Sequence, residues 1–301
     1  AQSSGSHVDT VQAAKATDRA PPPLPPPQDT DGERACSVPP SPTAVAALLS
    51  SEHPGEAQEE ERVVKLADGG VYKGQSRGSV YHGEGRLTLP DGGLYEGQFV
   101  DGQRHGIAKY TYSNGAVFEG EYRANLKHGK GRLTCSKNAS VLDASSYDGD
   151  WRQDLQDGDG IERWGDGSVF TGAFCEGRKH GQGKFMWSQG CMFEGQFLAN
   201  DMQGEGRYVW ADGRHYHGEW HQNHMHGTGI MRWPDGRVHE GSYVMGNKHG
   251  EGTLTWLDGR SYEGQWLSNK QHGVGVVTTS KGMQRKSFWR EGKFVRWVAD
   301  V

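Results

Sequence analysis

Histidine is the residue type here with the most chemistry on offer, at fourteen copies. Seven of them, His82, His105, His128, His180, His226, His249 and His272, stand directly before a glycine at one place of a recurring unit. Zinc takes four ligands in a tetrahedron, with nitrogen at about 2.0–2.1 Å. Ligands one hairpin apart stand roughly 9.5 Å from each other, so the row cannot close around one ion. His215, His217, His221, His224 and His226 lie closer in sequence, and His224 with His226 could share an ion weakly. The row is read as structural, each ring bonding to backbone across its loop, and no metal or cofactor is expected.

The other candidates for catalysis are weaker still. G-x-S-x-G, H-E-x-x-H and a Walker loop are all missing. Gly227-Thr228-Gly229 and its equivalents do not sit where a strand opens into a helix, so a dinucleotide reading fails. Carboxylates such as Glu194 and Glu219 fall on a polar face, without an apolar pocket to raise their pKa. No enzyme activity is expected.

Behind these residues stands a repeat of 23 residues, well seen from Tyr216 to Val238: Y-H-G-E-W-H-Q-N-H-M-H-G-T-G-I-M-R-W-P-D-G-R-V. Aromatics occupy places 1 and 5, glycines 3, 12, 14 and 21, histidine 11, tryptophan 18 and aspartate 20. Nine copies begin at Tyr72, Tyr95, Phe118, Tyr147, Phe170, Phe193, Tyr216, His239 and Tyr262, with six extra residues in the third. A period of this length decides the architecture before anything else does.

Each copy reads as two short strands, at places 1–6 and 13–19. Asp-Gly pairs such as Asp91-Gly92 and Asp212-Gly213 make tight turns on one side, since glycine accepts positive φ and aspartate bonds its own backbone. A longer loop of five to six residues precedes each His-Gly. Short connections demand antiparallel neighbours, so the fold class is all-β: an elongated single-layer meander of nine hairpins, roughly 85 Å long.

Side chains alternate along a strand, which puts places 1, 3 and 5 on one face and 14, 16 and 18 with them. That face carries Tyr95, Phe99, Tyr147, Trp151, Trp164, Trp187, Tyr208, Trp210, Tyr216, Trp220, Trp233, Trp256, Tyr262 and Trp266 over glycine. The opposite face is polar. Glycine weakens strands, so its recurrence implies that rings need the space. With no second layer in the sequence, the rings should line a partly open groove, and an exposed aromatic strip marks a protein-binding site. A partner helix or extended segment could fill it, as could the chain's own Thr43–Ser51.

Residues 1–62 form a separate region. They hold ten of the twelve prolines, and ten acidic against four basic side chains, so they are expected to be disordered. Pro21–Pro27 should adopt polyproline II and act as a spacer or a docking motif. Thr43–Ser51 is a short helix candidate, and Ser41-Pro42 a possible phosphorylation site. Residues 63–301 carry 28 acidic and 29 basic side chains. A nearly neutral body gives no footprint for nucleic acid and little for an anionic membrane. Four cysteines without C-x-x-C spacing suit a reducing compartment, although four could pair. Asn138-Ala139-Ser140 is read as a chance match to the glycosylation triplet.

The order Y-x-G-x-[WF]…H-G-x-G-x…W-x-D-G resembles the MORN (membrane occupation and recognition nexus) repeat over about residues 63–297, with Asp157 and Gln203 replacing histidine in copies four and six. The resemblance implies a twisted single-layer β-meander. It also implies the family's roles: scaffolds of cilia and parasite cytoskeletons, such as radial-spoke heads, and membrane–cytoskeleton tethers such as junctophilins. Some relatives add a kinase or methyltransferase domain after the repeats, and the seventeen residues after Gln284 are too few for one. The expectation is a cytoplasmic, cytoskeletal or ciliary scaffold within a multi-subunit assembly. Phospholipid tethering is the alternative, as is an organellar complex if a presequence preceded Ala1.

Overall fold

The computed structural model describes residues 60–135 and 144–299. The features read into residues 1–59, including the Thr43–Ser51 helix and the Pro21–Pro27 run, lie outside the described residues, as does most of the third copy's insertion. Among the described residues, twenty-one strands, β1 to β21 in chain order, form one sheet. Each pairs antiparallel with its sequence neighbours, from β1 (Glu60–Lys65) on β2 (Val71–Arg77) to β20 (Gln284–Arg290) on β21 (Lys293–Trp297). The expected single-layer meander is the fold. Its first described strand begins at Glu60.

The strands within a copy differ from the expectation. In the first copy β3 spans Val80–Thr88, so the second strand occupies places 9–17 rather than 13–19. No long loop precedes His-Gly. Places 7 and 8 make a two-residue turn in which, from the second copy to the ninth, both residues take positive φ, as Ala124 (49°) and Asn125 (71°) do. Such turns match the right-handed twist of the strands they join. The Asn or Asp at place 8 also ties copies together. Asn125 Oδ1 accepts the backbone N–H of Arg104 in the preceding copy at 2.9 Å, and Asp154 and Asn200 do the same for Lys127 and Lys179.

His-Gly turns out to be a β-bulge. The register slips there, between Gly218 and Trp220 in the seventh copy, and the glycine after histidine takes positive φ, +58° at Gly227. A bulge leaves an amide without its ladder partner. The side chain at place 4 accepts it: Glu219 Oε1 from Thr228 N at 2.8 Å, and Asp150 Oδ2 from Asp159 N at 3.0 Å. The two Thr228 donors, N–H and hydroxyl, hold the Glu219 carboxyl below the usual range. The expected bond from the histidine ring to backbone is not what the bulge uses. Nδ1 of His82, His226 and His272 is buried without a hydrogen-bond partner. The carbonyl of the histidine participates instead, accepting the tyrosine hydroxyl at 3.4 Å in Tyr95–His105 and Tyr216–His226.

The opposite turn follows the expectation closely. Trp210 N donates to Arg214 O at 2.9 Å, Gly213 N to Trp210 O at 3.0 Å, and Arg214 N to Asp212 Oδ1 at 3.0 Å. Place 18 therefore lies in the turn, just past the strand.

Glycines at places 3 and 14 pair directly, Gly195 with Gly206 and Gly206 with Gly218, so a seam of glycine crosses the sheet. A Cβ on Gly218 would lie 2.5 Å from Gly229 Cα, and one on Gly229 would lie 2.2–2.4 Å from the Tyr216 ring. A side chain at either position would need the backbone or the ring to move; elsewhere the seam admits only small residues, Ala108 opposite Gly97 and Ser287 opposite Gly275. The missing Cβ atoms let the two halves of each strand close over the rings.

Candidate partner-binding face

Rings at places 1 and 5 form a continuous herringbone. Tyr147 meets Trp151 edge-on at 5.2 Å and Phe174 of the next copy at 5.1 Å. Phe193 meets Trp220, which meets Tyr216, which meets Tyr243. The ladder continues through His239, Trp266 and Tyr262 to Trp289. Each edge-to-face pair adds about 0.5–1.5 kcal/mol beyond area burial. Polar tips find backbone acceptors: Tyr147 and Tyr262 hydroxyls donate to the carbonyls of Asp150 and Gln265 at 2.9 and 3.0 Å. Trp151 and Trp266 indoles donate to Gly131 and Gly252 carbonyls, both at 2.9 Å. Burial pushes the Tyr262 hydroxyl up to about 12, with Tyr95, Tyr147 and Tyr216 moved in the same direction.

This packing corrects the open groove. Of the fourteen rings assigned to it, Tyr95, Phe99, Tyr147, Trp151, Trp164, Trp187, Tyr208, Trp210, Tyr216, Trp220, Tyr262 and Trp266 are buried, at 9% exposure or less. Only Trp233 and Trp256 are half-buried. The physical reason lies at place 10, which sequence reasoning passed over. In copies two to eight Arg104, Lys127, Gln156, Lys179, Met202, Met225 and Lys248 occupy it, all buried, while the end copies have the half-buried Tyr81, stacked on Tyr72, and Gln271. Across those seven inner copies the chemistry varies but the shape does not: each side chain is long and unbranched, and its stem covers the rings. Charged ends lie over aromatic faces, Lys127 Nζ at 4.7 Å from the Trp151 centroid and Lys248 Nζ at 4.7 Å from Trp266. Burial lowers the pKa of Lys127. Lys179 Nζ also meets Glu162 Oε2 at 2.9 Å, both almost fully buried. Glu162 stands at place 16, where other copies have Phe185, Tyr208 or Leu254.

One copy departs from the ring pattern. His239 at place 1 is fully buried, its Nδ1 at 2.8 Å from the Tyr243 hydroxyl. Burial, assisted by the Lys248 charge, lowers its pKa to about 3, so it is neutral at pH 7.

What stays accessible is a rim at the Asp-Gly turns. The sequence W-x-D-G-R recurs in three successive copies, at Trp210–Arg214, Trp233–Arg237 and Trp256–Arg260. Each arginine stacks on its tryptophan, with Cζ 5.2–5.8 Å from the ring centroid, and pairs with the aspartate at 2.7–2.8 Å. Toward the C-terminal end, Leu257 is 80% exposed beside Trp256, and Met283 is 63% exposed.

The reverse face bears charges in cross-strand register, including Lys109–Glu119 at 3.0 Å and Lys184–Glu194 at 3.7 Å. Exposed pairs of this kind add at most about 1 kcal/mol each. Over the glycine seam of the first three copies runs a shallow trough of about 990 Å³, lined by Glu84, Arg86, Glu96, Lys109 and Glu119 among others. His221 and His226 rings lie 5.5 Å apart, and no group of three or more His, Cys, Asp or Glu among the described residues could hold a metal ion.

Three solved structures illustrate what the chain is similar to. The TCP domain of SAS-4 (dCPAP) from Drosophila melanogaster, in complex with a proline-rich motif of Ana2 (dSTIL), is 15% identical. It aligns over 65% of this chain and 99% of that one, with a TM-score of 0.33. The TCP10 domain of Danio rerio CPAP is 10% identical over 79% of this chain and 99% of its own, with a TM-score of 0.27. Virginiamycin B lyase from Staphylococcus aureus is 11% identical over 76% and 73%, with a TM-score of 0.14. Scores this low make none of them a guide to this chain. No curated protein matches it. The MORN repeat model matches nine spans: residues 72–94, 95–117, 118–140, 147–169, 170–192, 193–213, 216–236, 239–259 and 262–284. Those spans hold the ring ladder, the glycine seam and both kinds of turn, and on that footing the chain belongs to the MORN-repeat family.

Proposed function

We propose that this protein is a non-catalytic scaffold that holds protein partners within a cytoskeletal assembly. One observation carries this reading: the contrast between a ladder that seals itself and a rim that does not. The inner rings act by fixing the shape of the array. Partners, as helices or extended segments, engage the C-terminal rim, where Trp233, Trp256, Leu257 and Met283 give apolar surface beside ordered arginines. A contiguous apolar patch edged with charge is the usual form of a protein contact. The cytoskeletal and ciliary setting comes from the family's known roles.

The test is quantitative co-purification from the native source with full-length wild type and Leu257→Glu. Leu257 is exposed, so the substitution should spare the fold and remove specific co-purifying proteins. Equal recovery of the same proteins would contradict the rim. Flotation with anionic vesicles at low and high salt separates the tether alternative, because salt-sensitive flotation would replace the scaffold reading. No described helix is long and apolar enough to cross a membrane.

A further inference from the structure

Among the described residues the last strand of the sheet, β21, pairs on one side only, with β20. Val298 N donates inward to Lys286 O at 3.0 Å. Bonding direction alternates along an antiparallel pair, so the N–H and C=O of Trp297 point outward from the edge. Backbone groups left open in this way are a template for a further strand.

The side chains of β21 divide between the two faces of the sheet. Phe294 and Trp297 lie on the ring face, with centroids 4.8 Å apart and Phe294 5.8 Å from Trp289. They extend the herringbone and leave it unfinished, at 44% and 39% exposure. Arg296 lies on the reverse face, opposite Phe288 in register and with its Cζ 5.9 Å from that ring. Lys293, opposite Arg290, shares that face by alternation.

Charge sharpens the picture. β20 and β21 carry Arg285, Lys286, Arg290, Lys293 and Arg296 and no acidic side chain. Farther up the sheet the reverse face neutralises itself, as in Lys109–Glu119 and Lys184–Glu194. At this end no ion pair among the described residues involves Arg290, Lys293 or Arg296.

We propose that the β21 edge binds an acidic, extended segment of a partner protein, which adds to the sheet as one more strand. Its apolar side chains would cover Phe294 and Trp297, and its carboxylates would meet Lys293 and Arg296 on the other face. Strand addition takes affinity from main-chain bonds and specificity from alternate side chains. The division of rings and charges between faces selects this occupant. A bilayer or a nucleic acid meets one face at a time, whereas an added strand reads both. A second copy joined through the same edge is disfavoured, because like charges would stand across the join. The edge is separate from the rim at Trp233, Trp256 and Leu257, so the inference goes beyond the scaffold reading.

The test titrates the full chain into a short fluorescein-labelled peptide of alternating valine and glutamate and follows anisotropy. One control peptide alternates valine and lysine, and a second sets the same valines and glutamates in two blocks. The alternating glutamate peptide should bind about tenfold tighter than either control, from two opposite-charge pairs in place of none. Lys293→Glu with Arg296→Glu, both at exposed positions, should reverse the preference toward the lysine peptide. Leu257→Glu should leave the affinity unchanged, which separates this edge from the rim. Hydrogen exchange of isotope-labelled wild type, read by NMR, should slow at the Trp297 amide once the glutamate peptide saturates the chain. Equal affinity for the glutamate peptide and either control overturns the proposal, as does a charge-reversed variant that keeps the wild-type order. Trp297 exchange that saturating peptide leaves unchanged overturns it too. Tighter binding of phosphatidylserine vesicles or of single-stranded oligothymidine, with that exchange unmoved, would assign the surface to a membrane or a nucleic acid instead.

Discussion

Replacing His239 by phenylalanine should flatten the acid sensitivity of the array. The folded pKa of this buried imidazole is about 3, against an ordinary 6.5. A histidine with a depressed folded pKa contributes stability above its unfolded value, and that stability is lost as pH falls below it. Between pH 7 and pH 5 the unfolded chain takes up the proton and the folded chain does not. Linkage gives a loss of about 2 kcal/mol over that interval from this residue alone. Phenylalanine is tolerated in the same setting, because Phe118 and Tyr122 already occupy the same two places in the third copy and meet edge-on at 5.3 Å. Urea unfolding of wild type and His239→Phe, followed by tryptophan fluorescence and circular dichroism at both pH values, reads the difference. The variant should lose about 2 kcal/mol less than wild type on acidification. Equal losses would refute the reasoning, and would mean that the imidazole is solvated or charged in the fold.

Other outcomes follow from the same packing. Gly218→Val should cost at least the roughly 1–3 kcal/mol of ordinary overpacking, because its Cβ would lie 2.4 Å from Thr228 O, which is backbone; an unchanged urea midpoint would dismiss the seam. Trp210→Ala should cost about 3–5 kcal/mol, and Trp233→Ala clearly less, since only the first is buried. Equal midpoints for those two variants would place the boundary of the sealed ladder wrongly. Glu162→Gln leaves the Lys179 amine buried without its carboxylate and should cost about 3–5 kcal/mol, whereas Lys179→Met with Glu162→Leu should be near neutral, as in copies that carry Met202 or Leu254. A double-mutant cycle in urea measures both.

The sequence pattern made the period, the antiparallel meander, the Asp-Gly turns and the ring-over-glycine face legible, because each rests on a residue type that only one local geometry favours. It hid the start of the second strand, since the tight turn at Ala124-Asn125 and Ala199-Asn200 puts a non-glycine residue at positive φ and resembles a loop. The lid was hidden for a different reason. Arg104, Lys127, Gln156 and Met202 share no charge or polarity, only a flexible stem, so a search for chemical constancy skips the place. Without that lid the rings had to be assigned to an open groove. The histidine row misled in a similar way: its constancy invited a role for the ring, while the bulge needs backbone carbonyls and the side chain at place 4.

Hydroxyl-radical footprinting of the full chain, read residue by residue by mass spectrometry, tests the self-sealed ladder most directly. Trp151, Trp220 and Trp266, all at 5% exposure or less, should be protected, and Trp256 and Trp297 should be oxidised readily. Similar oxidation of all five tryptophans would show an open aromatic face and contradict the account.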